Sequence, residues 1–343
     1  MGWYWVRFVE GSNMTSTVFG RRERRIAAVL AAIWASVWTA AASAASLYVA
    51  NGGDGSIKVV TSGGVVSTYA TGLSTPRGLA FDSAGDLFVA NNGDSTIRKI
   101  LPGGVVTTFA SGLTGLDLYG VAIDSTSGNI FVSAINLTTP ASSSILEFTP
   151  AGVMSTFATL SSPGGLAFDS SHNLFVTLAT AGPSGEATGG INEVSPGGVV
   201  NPVVTSAMSD PIGLALSGTD LYAAEIAGSK RVLHTTTTGG TVTPFATGFG
   251  EPYGATFGGD GRLYVTDFTN GLLDAVSSGG VVSTFAAGFS SPRFITVGPD
   301  VPEPGALALL AASAGLVLRR RRAGKAAKGD GARELTFTGM VAG

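Results

Sequence analysis

The sequence predicts an all-β fold, a six-bladed β-propeller of four-stranded blades. Three observations predict it. A unit recurs every 40 to 48 residues, each unit holds four short strand-like runs, and two partial units at the ends of the repeat complete one another. The composition agrees. Only 13% of the 343 residues are charged and 44% are hydrophobic, which excludes a disordered chain. The 50 glycines follow no three-residue period, which excludes collagen. With no cysteine and 2 histidines, thiolate metal sites are excluded and imidazole sites have little to draw on.

The opening run of the unit reads PRGLAFD at 76–82, LYGVAID at 118–124, PGGLAFD at 163–169, PIGLALS at 211–217, PYGATFG at 252–258 and PRFITVG at 292–298. Its third residues, Gly78, Gly120, Gly165, Gly213, Gly254 and Phe294, are spaced by 42, 45, 48, 41 and 40, the length of a propeller blade. In the clearest copy the strands are expected at Gly78–Asp82, Asp86–Ala90, Thr96–Ile100 and Val105–Ala110. The first two are almost wholly apolar, as strands covered on both faces must be. The fourth alternates with Thr, which suits an outer strand wetted on one side. Gly85 and the Gly103-Gly104 pair supply the turns between them. No amphipathic stretch of helical length interrupts the units, so an α-solenoid is excluded, and a β-helix uses shorter coils. The copy at Leu47–Leu73 lacks an opening run, and PRFITVG at 292–298 is an opening run alone. Joined, they make the sixth blade and close the ring, leaving only short protected edges.

The two ends lie outside the repeat. Residues 21–25 read RRERR, followed by the apolar run IAAVLAAIWASVWTAAA and by Ala42-Ser43-Ala44. This order predicts a helical secretory signal peptide cleaved after Ala44, with a retained membrane helix as the alternative. Met1 and Met14 are both candidate starts. At the other end, Pro302-Glu303-Pro304 precedes the apolar stretch Gly305–Leu318 and then Arg319, Arg320, Arg321 and Arg322. Fourteen helical residues reach about 21 Å, short of a hydrocarbon core of about 30 Å. The arginines can snorkel and hold such a short transmembrane helix with its positive end in the cytoplasm; a helix packed on the domain is the alternative. This order of Pro-Glu-Pro, apolar stretch and arginine cluster resembles the PEP-CTERM sorting signal of bacterial envelope proteins. The resemblance implies an exosortase as partner, processing near Pro302–Pro304, transient anchoring in the inner membrane, and delivery to the outer surface or extracellular matrix. A tail continues here past the basic cluster, where that family usually stops. The expected domains are 1–44, an extension and signal peptide; 45–300, the propeller; 301–322, the sorting segment; and 323–343, a flexible tail.

The unit PRGLAFDSAGDLFVANNGDSTIRKI also resembles the NHL repeat, with its Pro-x-Gly, apolar run, Asp, Gly, a strand closing in Ala-Asn, and Arg. It is similar as well to the six-bladed group that includes gluconolactonases and calcium-dependent lactonases. Streptogramin lyases share a similar repeat, in what resembles a seven-bladed ring.

In a propeller of this kind, the residue after each opening proline and the residue ending each second strand ring one mouth. The first set is Arg77, Tyr119, Gly164, Ile212, Tyr253 and Arg293; the second is Asn51, Asn91, Ala134, Leu178, Glu225 and Asp267. The gluconolactonase resemblance implies oxygen ligands for a divalent metal in the first set. Here those places hold no Asp, Glu or Asn, and hard cations need several oxygens. Asn51, Asn91, Glu225 and Asp267 make a different candidate oxygen site, for which calcium is the expected ion; solvated turn capping is the alternative. Arg77, Tyr119, Tyr253 and Arg293 suit an acidic or sugar ligand through guanidinium forks and aromatic faces, with arginines lying along the surface as the alternative. His172, in the turn 170–173, and His234 have no Ser or Asp partner legible in the sequence and read as surface residues. Insertions at Asn136–Ser143 and Ala179–Gly189 lie on the mouth side.

The body at 45–300 carries 8 basic and 18 acidic residues, net −10, while 12 of the 20 basic residues lie outside it. Such a body repels a phosphate backbone, so no nucleic-acid partner is expected. The reading is an exported binding or matrix module with a glycan or protein ligand. The competing class is a metal-dependent lactonase or hydrolase, and the third is a structural surface protein without a ligand.

Overall fold

Burial grades the strands of each unit. Leu87–Asn91 is buried at every residue, whereas Val105–Ala110 has none buried, so the second strand is interior and the fourth is the rim. The computed structural model describes residues 45–179 and 189–300, which form six antiparallel four-stranded sheets. Blade 2 consists of Pro76–Phe81, Leu87–Asn91, Thr96–Leu101 and Val105–Ala110, within two residues of expectation. Blades 3 to 6 follow in order, with inner strands Leu116–Ile123, Pro163–Phe168, Pro211–Ser217 and Pro252–Phe257. Blade 1 is composite, as expected. Its inner strand is Pro292–Gly298, and this pairs antiparallel with Ser46–Asn51 from the other end of the repeat, Ser46 opposite Gly298 and Asn51 opposite Pro292. The signal peptide, the sorting segment and the tail lie outside the described residues.

The glycines at the third place of the opening run set the spacing of the ring. A β-carbon on Gly120 would stand 2.6 Å from the Gly164 carbonyl oxygen, and one on Gly254 would stand 2.6 Å from that of Arg293. Gly78, Gly165 and Gly213 are pressed in the same way against Tyr119, Ile212 and Tyr253 of the following blade. Only a residue without a side chain permits backbones to approach so closely. Hydroxyls stitch three of these seams. Ser133, Thr177 and Thr266, all fully buried, accept from the N–H of their own blade's glycine and donate to the carbonyl of Gly164, Ile212 and Arg293 in the next.

Apolar clusters fill the seams between neighbouring blades. Each second strand contributes one aromatic at the same place: Tyr48, Phe88, Phe131, Phe175, Tyr222 and Tyr264. Five of these meet a fourth-strand ring of their own blade edge-on, at centroid distances of 4.8 to 4.9 Å. Such contacts are worth about 0.5–1.5 kcal/mol beyond the area they bury.

All six inner strands run the same way along the axis, so the ring has two distinct ends. At the mouth the inner strands begin and the hairpins between second and third strands turn. At the base the inner strands end, and so do the hairpins joining strands one to two and three to four. The base half of the channel holds a cavity of about 360 Å³, lined by Ala80, Ala122, Ala167, Ala215, Thr256 and Thr296 with their neighbours.

Candidate functional site

Pairing of the first two strands slips just after the opening residue: between Pro76 and Leu79, Leu118 and Val121, and Pro252 and Ala255. Such irregularities re-aim side chains, and here they accompany a gathering of second-place residues at the mouth. The Arg77 guanidinium lies 4.1 Å above the Tyr119 ring and 3.0 Å from an Asp117 carboxylate oxygen. Arg293 donates from Nη1 to the Tyr253 hydroxyl at 3.0 Å and lies 5.1 Å from the centre of the Phe268 ring. Tyr253 meets Phe294 edge-on at 5.4 Å, and Ile212 is buried in the same cluster. The structure therefore brings Arg77, Tyr119, Tyr253 and Arg293 together, with Asp117 as a member the sequence did not mark.

The electrostatics of this group favour an anion. Two guanidiniums face one carboxylate, and the Nε of each arginine is buried without a hydrogen-bond partner among the described residues. Burial works against the Arg77 charge, yet Tyr253, Tyr119 and Asp117 hold its pKa above the ordinary value. Burial, helped by Tyr253 and opposed by Arg77, pushes the Tyr119 phenol up to about 12. Both tyrosines are thus neutral donors at physiological pH.

The second set takes a different part. Asn51, Asn91, Glu225 and Asp267 are all buried, and each accepts from the backbone of the loop entering its own blade. Asn51 Oδ1 takes the Ser290 N–H at 2.7 Å and Asn91 Oδ1 the Ser74 N–H at 2.7 Å. Glu225 takes the Ser209 N–H and the Arg231 Nε, and Asp267 takes the N–H groups of Gly250, Glu251 and Asn270. Three residues on, the hairpin carries the complementary group: Asp54, Asp94 and Asn270. Burial opposes ionisation of Asp54 and Asp94, but the hydroxyls of Ser56 and Thr96 and the cations of Lys58 and Arg98 hold both below the usual carboxylate range. The spacing Asn-x-x-Asp in two blades and Asp-x-x-Asn in a third was visible in the sequence as a signal for this clamp.

Both histidines have acidic partners. His172 Nδ1 lies 2.8 Å from Asp124 and its Nε2 3.0 Å from the Thr126 hydroxyl, both in the neighbouring blade's base turn. His234 Nε2 lies 2.7 Å from Asp220. This corrects the expectation of residues without an acidic partner: blade packing brings His172 to a turn 46 to 48 residues away, and strand pairing within blade 5 brings Asp220 to His234. His172 also adopts a left-handed φ of 62°, at a turn position where other blades place Gly85 and Gly261. In the insertion at Asn136–Ser143, Asn136 Oδ1 accepts the N–H groups of Thr138 and Thr139, so that loop is an ordered turn; most of the other insertion, 180–188, lies outside the described residues.

Comparison with known proteins adds two findings. The PEP-CTERM protein-sorting motif matches residues 300–322, so it takes in Pro302, Glu303, Pro304 and the arginines at 319–322. No curated protein matches the sequence as a whole. Among solved structures, the chain is similar to a streptogramin B lyase at 16% identity, covering 74% of this chain and 87% of that one with a TM-score of 0.54. It is similar to a gluconolactonase from Xanthomonas campestris at 17% identity, covering 65% and 83% with a TM-score of 0.55. A third is regucalcin, a calcium-binding protein from Agrobacterium tumefaciens, at 18% identity, covering 64% and 76% with a TM-score of 0.52. Likeness at this level shows the fold alone. The chain is a six-bladed β-propeller carrying a PEP-CTERM sorting motif, a signal for export and sorting to the cell envelope.

Proposed function

We propose that this chain is an exported envelope or matrix module that binds a carboxylated carbohydrate at the mouth of its ring, after an exosortase has processed its sorting segment. The observation that supports the binding reading is the pair of arginines from adjacent blades, each with a buried Nε that has no partner among the described residues and each laid on a tyrosine ring. A carboxylate answers the excess positive charge through a guanidinium fork, and a sugar face suits the half-buried Tyr119. The NHL-like repeat supplies the frame, and the likeness to a gluconolactonase and to regucalcin makes a calcium-dependent lactonase the competing reading.

Calcium fits these residues poorly. The oxygens of Asn51, Asn91, Glu225 and Asp267 are engaged by backbone N–H groups of separate blades. The described residues hold no group of three or more acidic or histidine side chains placed to hold an ion. The mouth itself presents guanidiniums, which repel one.

The test is retention of the chain on uronate-containing and neutral oligosaccharides. Arg77→Lys and Arg293→Lys keep the charge and the packed stem but lose the fork. Each is expected to weaken uronate binding about 10-fold, the value of one charge-assisted hydrogen bond. Equal retention of neutral sugars, or indifference to both substitutions, overturns the proposal. A calcium-dependent rise in melting temperature abolished by Glu225→Ala and Asp267→Ala would favour the lactonase instead.

A further inference from the structure

We infer that, in the chain not yet processed by an exosortase, the base of the propeller is a membrane-facing surface, on which a circle of exposed valines, one from each of five blades, rests against the bilayer that holds the sorting segment. The inference rests on the reading of Gly305–Leu318 as a membrane-inserted segment.

Three independent observations lead there. First, the described chain enters and leaves the ring at the base. Ser46 is paired with Gly298 at that end of blade 1, and Pro299 follows within hydrogen-bond reach of the Tyr48 hydroxyl. Both the signal-peptide side and the sorting side therefore attach to the same face. Second, the link to the apolar stretch is short. Four residues, 301–304, separate Asp300 from Gly305, and at full extension they span about 14 Å. The hairpin tips between third and fourth strands stand about three strand spacings, or roughly 14 Å, from the inner strand. A tether no longer than that radius, fixed at the hub, holds the face close to the plane it is tied to.

Third, the tips that would touch are apolar. The first residue after the turn glycine is Val65, Val105, Val153, Val199 and Val281 in blades 1, 2, 3, 4 and 6, exposed by 44, 58, 65, 60 and 68%. Met154 and Leu101 add to two of these tips, exposed by 53 and 37%. Blade 5 alone has a polar residue, Thr241, at this place. Single exposed valines need no explanation, but the same exposed place filled in five blades, on the face that bears the tether, does. The tips are also firmly backed. Gly64, Gly104, Gly198 and Gly280, each just before a tip valine, hold positive φ and press against Phe285, Tyr69, Phe157 and Phe245 of the preceding blade, so the valine is held outward.

Three carboxylates of this face meet a basic group, whereas Asp82 and Asp169, in two of the same turns, meet only neutral N–H groups. Asp86 pairs with Lys99 at 2.6 Å, Asp260 with Arg262 at 2.6 Å, and Asp124 with His172 at 2.8 Å. Contact is thus by shallow apolar insertion, and it favours zwitterionic over anionic lipid. The mouth, at the opposite end of the axis, then points away from the membrane.

The absence of cysteine makes the test direct, since each introduced thiol is unique. Full-length chains carrying Val105→Cys, Val199→Cys, Val281→Cys or the mouth-side control Ser111→Cys are labelled with an environment-sensitive dye and reconstituted into phosphatidylcholine vesicles. Rim labels are expected to shift to the blue and to lose about half their emission to lipid spin-labelled near the headgroup, with no change at Ser111→Cys. Adding anionic lipid should weaken the effect. A chain that fails to float with the vesicles overturns both the anchoring reading and this inference. A chain that floats with rim labels still in water overturns the inference alone. Labels already shielded before lipid is added, with a doubled mass, assign the rim to a second copy of the chain and also overturn it.

Discussion

Five of the six seams between blades are closed at the axis by glycine, and the seam between blades 1 and 2 is closed by Phe294. At the glycine seams, inner strands meet backbone to backbone, and the apolar cluster of each seam stays between its two blades. At the sixth, the phenylalanine projects inward. One apolar cluster there joins Tyr48, Leu79 and Leu87 of the seam to Ile212, Tyr253 and Phe294 at the axis. The difference follows from how the ring is made. Five seams join blades that are continuous in sequence, whereas blade 1 must capture a strand from the far end of the chain. A large buried side chain on that strand supplies burial that a glycine cannot. It also places Arg293, its neighbour, beside Tyr253 at the mouth.

The most severe way to break the comparison is to delete residues 292–300. Blade 1 would lose its inner strand, and the edge of Ser46–Asn51 would be left open for pairing with other chains. The expected product is aggregated or oligomeric, as read by light scattering; a monomer of unchanged melting temperature would mean that the seam is dispensable.

A reciprocal pair of substitutions comes next. Phe294→Ala removes a side chain that is only 8% exposed and leaves a cavity at the axis. It should cost about 3–5 kcal/mol and lower Tm by on the order of 10 °C. Gly254→Ala sets a methyl 2.7 Å from the Phe294 α-carbon, which is backbone and yields little. About 1–3 kcal/mol is expected for such overpacking. Gly259→Ala, with nothing within 4 Å and no positive φ, is the neutral control. If Phe294→Ala were as mild as Gly259→Ala, the sixth seam would be closing by the same means as the others.

How much of this was legible follows from the range of each interaction. Strand runs and blade length depend on local pattern, so the boundaries of blade 2 and the composite blade 1 could be read directly. The gathering of Arg77 with Arg293, separated by most of the chain, was legible only because the repeat fixes which places face the axis. Asp117 was not, since it sits one residue before the opening run, where no other copy marks a function. The partners of His172 and His234 were missed for a similar reason. Asp124 belongs to the preceding unit, and Asp220 is the hairpin neighbour of His234 only once the strands pair. The clamp made by Asn51, Asn91 and Asp267 could have been recognised from its complementary partner three residues on, a local signal that a search for metal ligands passes over.

The mildest test uses the repeat as its own control. The aromatic place of the second strand is Phe in blades 2, 3 and 4 and Tyr in blades 1, 5 and 6, so the ring tolerates either at that place. Tyr48 differs in that its hydroxyl donates to the Pro299 carbonyl at 3.0 Å, tying down the last turn before the sorting segment. Burial, reinforced by Tyr69 and Asp300, raises its pKa well above the ordinary phenol value, so the hydroxyl remains a donor throughout the physiological range. Tyr48→Phe keeps the edge-on contacts with Tyr69 and Phe81 and removes that bond alone. A loss of about 1 kcal/mol is expected, concentrated in faster amide exchange over residues 292–300 rather than spread around the ring. Exchange that rose equally in all six inner strands would show that the closing strand is no more separable than its neighbours, and that the six seams act as one.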